Sequence, residues 1–367
     1  MISVVLPSQT RGVPSEDIAR AKEIAERAID LVNSRAGYIE ANGVDPGFAY
    51  PDANWAFDAP NAFVRLFKRV AICDTEAIGQ LRAFTQVFAG FNLYEMVKGP
   101  SAVPEHLDGY SDAIIEGKLE RNLPYFTRWY ALTEHLPYRC IFAPPRRFGE
   151  IGHEIRGVIV NHDTVAYQER INLLLEGGII EWLDRLAAEK GEVKILEIGG
   201  GYGALATWFC SAFPSCSYTI IDLPECLLFS GLYLSLSRPD VRTGWGVDAR
   251  VPFGLRFIPN YQADAVEESF DLVINTLSMS EMSIPQVRHY VSLMKTNWIK
   301  KQGLFFEQNQ DNRHLGLICA QDIFAEEFHS RKSVSLTGKT LLHHGMANLW
   351  SLGPIDLPGC RSAIHEQ

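Results

Sequence analysis

The stretch Val193-Lys-Ile-Leu-Glu-Ile-Gly-Gly-Gly-Tyr-Gly-Ala-Leu205 decides the fold. Val193, Ile195 and Ile198 form a short apolar run of buried-strand character, and Glu197 stands near its end. Gly199, Gly201 and Gly203 follow at alternate positions, and a helical pattern (Ala204, Leu205, Trp208, Phe209) begins directly behind them. Strand, glycine turn and helix amino terminus together present bare backbone N–H groups against which a ligand can lie. Nineteen residues after Gly203, a second apolar run, Tyr218-Thr-Ile-Ile-Asp222, ends on a carboxylate. An acid there can accept hydrogen bonds from both hydroxyls of a ribose, so a nucleoside-containing cofactor is expected.

Two cofactor fingerprints overlap in these residues. Gly199, Gly201 and Ala204 satisfy the dinucleotide pattern G-x-G-x-x-A. Glu197 with Gly199, Gly201 and Gly203 also reads as E-x-G-x-G-x-G, which suits S-adenosylmethionine. Glu197 separates the two. A carboxylate two residues before the first glycine would repel a pyrophosphate, whereas it suits the ammonium group of a methionyl cofactor, directly or through water. S-adenosylmethionine is therefore expected, with a nicotinamide-dependent oxidoreductase as the alternative.

Bulk properties bound the reading without deciding it. A chain of 367 residues is long for one domain and implies a core domain plus a sizeable addition. The net charge of −10 and the absence of basic runs argue against nucleic acid as partner. No run of apolar residues is long enough to span a membrane, and the start lacks the pattern of a signal peptide, so a cytoplasmic protein is expected. The seven cysteines are scattered, without a C-x-x-C pair, which points to reduced thiols rather than a zinc site or disulfide framework.

Organisation changes near residue 150. Residues 1–147 read as an irregular, mostly helical domain that lids the acceptor site, with helical periodicity at 15–35, 62–72, 75–97 and 125–136. From 191 to 367, strands and helices alternate, which implies a parallel sheet covered on both faces. Strands are expected at Val193–Ile198, Tyr218–Asp222, Arg256–Pro259, Leu272–Asn275 and Leu304–Gln308. Helices are expected at 204–212, 225–236, 285–299 and 317–328, and a closing pair of strands at Ser333–Leu336 and Met346–Leu352. The fold class is thus α/β, Rossmann-like, with an added amino-terminal helical domain.

Residues 148–190 bridge the halves as helices. The segment Phe148–Leu173 looks too polar for a buried strand, and His153, His162, Asp163, Tyr167, Gln168 and Arg170 crowd together. Helical period over 164–175 places Tyr167 and Arg170 on one face with Gln168 beside them, near the carboxyl edge of the sheet where α/β ligands bind.

Six segments carry a more specific resemblance. Gly149-Glu-Ile-Gly-His-Glu-Ile-Arg-Gly, Asn161-His-Asp-Thr, Gln168-Glu-Arg-Ile-Asn, Glu197-Ile-Gly-Gly-Gly-Tyr-Gly, Ile221-Asp-Leu-Pro-Glu and Asn275-Thr-Leu-Ser-Met-Ser-Glu-Met are similar to a family of sugar O-methyltransferases found in antibiotic and surface-polysaccharide gene clusters. The resemblance spans roughly residues 120 to 350, and the first hundred residues show no matching motif. It implies a class I methyltransferase sheet, S-adenosylmethionine as donor and a sugar hydroxyl, or that of a glycosylated natural product, as acceptor.

Methyl transfer to an alcohol needs alignment of oxygen, methyl carbon and sulfur, and a base or divalent metal to take the proton. Glu281 or His314 is the expected base. A metal cage from Glu281, Glu307, Asp311 and His314 would need tight ligand spacing that the sequence lacks, so no metal site is assigned. For the cofactor, Glu197 is expected to meet the methionine amino group, and backbone at Gly199 and Gly201 to approach the carboxylate and ribose. Asp222 is expected to take the ribose hydroxyls, Leu223 to pack on the adenine, and Asn260 or Asp264 to reach the adenine edge. Tyr167, Gln168, Arg170 and Asn275 complete the expected cofactor set. A catalytically silent methyltransferase-like binding subunit is a further alternative.

Overall fold

The computed structural model describes residues 3–51, 59–85, 88, 110–120, 124–336 and 346–357. Eleven strands occur among the described residues: β1 (Ser3–Val5), β2 (Gly152–Ile155), β3 (Val158–Val160), β4 (Val193–Ile198), β5 (Cys216–Asp222), β6 (Thr243–Trp245), β7 (Leu255–Pro259), β8 (Phe270–Thr276), β9 (Ile299–Gln308), β10 (Ser330–Ser335) and β11 (Met346–Ser351). Eight of them form the main sheet, in the order β10-β11-β9-β8-β4-β5-β7-β6.

The sheet is parallel from β6 to β9, and β11 enters antiparallel between β9 and β10. Counted from β4 as the first strand and leaving out the edge strand β6, the order is 3-2-1-4-5-7-6. This is the order of the Rossmann-like class I methyltransferase sheet. It places a topological switch point between β4 and β8, with ligands expected beyond the carboxyl ends there. The strands form where they do because Ile195, Leu196, Ile198, Ile220 and Ile221 are fully buried, as both faces of a covered parallel sheet demand.

Three sequence expectations need correcting. The polar segment before Asp163 is not a bridging helix: β2 and β3 form a hairpin, and β1 joins it in a separate three-stranded antiparallel sheet. Its turn is Arg156-Gly157, both at positive φ as a two-residue hairpin turn requires. The polar side chains are absorbed by partners, His153 Nδ1 lying 3.0 Å from the Tyr125 hydroxyl. The helix expected over 75–97 is broken into Thr75–Gly79 and Leu81–Phe84 within its described part. There Arg82 donates its backbone N–H to Phe148 O, a tertiary bond that competes with helix continuation. Residues 89–97 lie outside the described residues. The helix expected over 285–299 is instead Ile284–Leu293 followed by a π turn, Met294–Trp298.

The helix Ser15–Asn42 lies on the helices Ala59–Ala71 and Pro224–Ser237. One apolar cluster runs from Ala21, Ile24 and Phe67 into Phe229, Leu232 and Phe209, so the helical half shares a core with the sheet side of the chain. Phe63 and Phe88 both meet the Phe229 ring edge-on, at 4.7 and 5.2 Å between centroids. No helix of the described residues is long and apolar enough to cross a membrane.

Candidate functional site

The carboxyl ends of β4, β5, β7 and β8 converge on a cavity of about 580 Å³, its open mouth included. Gly199, Ile221, Asp222, Leu223, Asn260, Ser278 and Glu281 line it from the sheet side. Phe48 and Pro51 line it from the amino-terminal half, and Gln286 and Tyr290 from the helix Ile284–Leu293.

Local backbone shapes this wall. Gly199 has φ +73°, and a Cβ built there would lie 2.2 Å from Ser278 Oγ, so only glycine fits. Gly201, at φ +57°, donates its N–H to Asp222 Oδ2 at 3.2 Å, and Leu223 N–H donates to Oδ1 at 2.8 Å. Two backbone donors therefore hold the Asp222 carboxylate against the glycine turn. Burial nonetheless pushes its pKa up to about 7. Beyond β8, Leu277 sits in the left-handed region at φ +71°, ψ −39°, a conformation costing about 1–3 kcal/mol. This kink turns the chain into the short 3₁₀ segment Ser278–Glu281 that faces the cavity.

Asn260 has the most telling hydrogen bonds. Its Nδ2 donates to Phe48 O at 2.9 Å and Ala49 O at 3.3 Å. Its Oδ1 is buried in the cavity wall without a partner. A buried acceptor left unpaired costs about 1–3 kcal/mol, so this position is primed for a donor.

Glu197 stands apart from the cavity lining. It is buried beneath the turn, with Oε2 accepting from the Tyr218 hydroxyl at 2.9 Å and lying 3.2 Å from where a Cβ on Gly200 would sit. Burial raises its pKa to about 7, opposed by the Tyr218 hydrogen bond and the Arg170 charge. Arg170 is itself buried, stacked at 4.7 Å on the Tyr167 ring, with Nε donating to Gln308 Oε1 at 3.3 Å. Tyr167 packs edge-on against Tyr202 of the glycine turn. Tyr202 in turn lies 4.0 Å over the guanidinium of Arg82, which pairs with Glu150 at 2.7 Å and Asp163 at 2.5 Å.

Of the expected site residues, Gly199, Asp222, Leu223, Asn260 and Glu281 are brought to one cavity. Gly201 joins them through Asp222, while Glu197, Tyr167 and Arg170 lie behind the turn. Three others are turned to different work. Gln168 spends its amide on Phe142 N, Cys140 O and Asn172, fastening the 140–142 segment to its helix. Asn275 braces Ile198 O and Ser278 with its Nδ2, while its Oδ1 accepts from Met279 N and Asn309. His314 sits on an exposed turn, donating Nδ1–H to Asp311 O, and does not line the cavity. Asp264, the other candidate for the adenine edge, pairs with His289.

The four residues weighed as a metal cage are not assembled. Glu307 is buried among Asn309, Gln321 and Asn348, and Asp311 pairs with Arg313. Sequence reasoning missed Phe48, Pro51 and Tyr290 altogether. Asp45-Pro46 carries the signature of a helix start, and Asp45 does cap Pro46–Ala49, but nothing local signals where that turn docks.

The two raised carboxyls set a pH dependence. Asp222 and Glu197 bind protons more readily in the folded chain than at their ordinary values of 3.8 and 4.5. The stability this contributes is fully present below those values and is lost as pH rises through about 7. A ligand that donates to the ionised carboxylates has the opposite trend. Its affinity is expected to rise from about pH 6 to about pH 8 by roughly tenfold for each group that must ionise. Calorimetric titration in buffers of different ionisation enthalpy checks this through the protons released. A flat profile without proton release would show that neither carboxylate ionises on binding.

No protein-family model matches the chain, and no curated protein matches it, so no family model supports the sugar-specific resemblance read from the motifs. Solved structures are similar to it at low identity. A methyltransferase from Clostridium acetobutylicum, described as S-adenosylmethionine-dependent, has 12% identity and a TM-score of 0.34, with 49% of this chain and 92% of that one covered. The N-methyltransferase NodS from Bradyrhizobium japonicum, in complex with S-adenosylhomocysteine, has 15% identity and a TM-score of 0.31, covering 62% and 95%. A candidate caffeoyl-CoA O-methyltransferase from Staphylococcus aureus has 14% identity and a TM-score of 0.32, covering 47% and 82%. Likeness at this level carries no argument about substrate.

Proposed function

We propose that the chain is an S-adenosylmethionine-dependent methyltransferase acting on a hydroxyl acceptor of the sugar type. The observation that carries the cofactor reading is the pairing of two acceptors in one cavity: the Asp222 carboxylate and the orphaned Oδ1 of Asn260. Asp222 suits the two hydroxyls of a ribose, and Asn260 suits an exocyclic amine. Phe48, Leu223 and Tyr290 supply apolar walls for a base between them. The residues present thus fit the adenosyl half of the cofactor, which when bound supplies an electrophilic sulfonium methyl group.

In this reading Glu281 is the base. It follows the strained Leu277 turn on the cavity wall, where it would hold the proton leaving the acceptor hydroxyl. The acceptor class itself rests on the motif resemblance over residues 120 to 350. Against a nicotinamide enzyme stands the sheet, whose antiparallel β11 between β9 and β10 departs from the six-strand order 3-2-1-4-5-6 of the dinucleotide fold.

Side-by-side titration with S-adenosylmethionine and NAD tests the cofactor. Binding of NAD alone would overturn the reading. Glu281→Gln is expected to lower kcat for a sugar-hydroxyl acceptor by roughly 10²–10⁴-fold, the worth of a positioned base. Full turnover in that variant, silenced by EDTA and restored by magnesium, would assign the proton step to a metal instead. Cofactor binding without turnover of any hydroxyl acceptor would favour the silent binding subunit.

A further inference from the structure

We propose that the amino-terminal segment Pro46–Pro51 belongs to the cofactor site and sets its base selectivity, by locking the Asn260 amide so that only its acceptor faces the ligand. The inference rests on the reading of the cavity as a nucleoside site and goes beyond it. Backbone carbonyl oxygens can only accept, so whichever end of the amide meets Phe48 O and Ala49 O must be the NH₂ group. The other end, Oδ1, is then the acceptor, and it lies buried without a partner on a residue that lines the cavity. A freely rotating amide would present either a donor or an acceptor and read nothing.

The segment is held in place by contacts independent of Asn260. Gln286 Nε2 donates to Gly47 O at 3.0 Å and Tyr50 O at 3.3 Å. The Phe48 ring packs edge-on against Tyr290 at 4.8 Å and tilted against His289 at 4.1 Å. Asp45 caps the short helix through Gly47 N–H. Phe48 and Pro51 also form part of the cavity wall, so the segment both shapes the pocket and fixes its polar reader. The chemistry this selects is a base with an amino group at the edge facing Asn260, against one with a carbonyl there.

S-adenosylhomocysteine and S-inosylhomocysteine differ in that one group, and their dissociation constants on the full-length protein form the test. The wild type is expected to prefer the amino form by roughly 30-fold or more, because a ligand carbonyl would face a buried acceptor. Gln286→Glu keeps the bonds that its Oε1 accepts from Ser283 but gives up both donations to the segment. Its preference should fall to about threefold, with S-adenosylhomocysteine itself bound within about tenfold of wild type. Should that variant not fold, Phe48→Ala removes the ring anchor without adding charge and reads the same ratio. Equal affinity of the wild type for both ligands overturns the inference while leaving the cofactor reading intact. So does an undiminished ratio in the folded variant. Binding of neither ligand by the wild type would instead remove the cofactor reading beneath it.

Discussion

Replacing Arg82 with alanine is expected to cost about 3–5 kcal/mol of folding stability, the range for breaking a buried ion pair from one side. Arg82 is wholly buried and serves three acceptors at once: Glu150, Asp163 and the Thr85 hydroxyl at 2.7 Å. Its removal strands two carboxylates in the core. Asp163 already has one oxygen without a partner, and burial raises its pKa to about 6. The Tyr202 ring of the glycine turn would lose the cation beneath it as well. Arg82→Lys should recover little, since an ammonium cannot span these acceptors in one plane. Denaturant melts of the variants check this; a midpoint shift worth under about 1 kcal/mol would mean that water repairs the site.

The second large effect falls on Asp222. Asp222→Ala should weaken S-adenosylmethionine binding by about 1–3 kcal/mol, or roughly 5- to 150-fold. The loss has two sources. The ribose hydroxyls lose their acceptor, and Gly201 and Leu223 lose the group that holds their N–H donors in place. Asp222→Asn narrows the choice, because an amide keeps only one of the two backbone bonds while offering the ribose a donor. Unchanged affinity in Asp222→Ala, measured by titration calorimetry, would remove Asp222 from the cofactor site.

The main sheet is readable in the sequence because strands covered on both faces must be nearly continuous apolar runs. Val193–Ile198 and Phe270–Thr276 meet that condition. Four strands escape the reading. β6 is only Thr-Gly-Trp at an edge of the main sheet, and β1, β2 and β3 form the separate small sheet, where β2 carries His153 and Glu154, whose polarity hides a pairing made with residues 3–5. The cavity is partly readable for a similar reason. Asp222 ends β5, Leu223 follows it and Glu281 lies in the turn after β8, so chain order alone sends them to the carboxyl edge. Gln168 and Asn275 have the same chemistry as ligand-binding residues but meet backbone groups first. Phe48 reaches the pocket from a distant part of the chain, and no periodicity encodes that.

The shared core constrains how this chain can be made. Ser3 pairs with Glu154, and the helix Ser15–Asn42 rests on Pro224–Ser237, so these segments are completed by partners that emerge much later in synthesis. Until then, Ala21, Ile24 and Phe67 have no sheet-side surface to cover them. A nascent chain of this order exposes apolar helix faces through much of its translation, which slows folding and invites chaperone capture. The arrangement that braces the pocket from both sides thus makes the earlier helices of the growing polypeptide dependent on a sheet made after them.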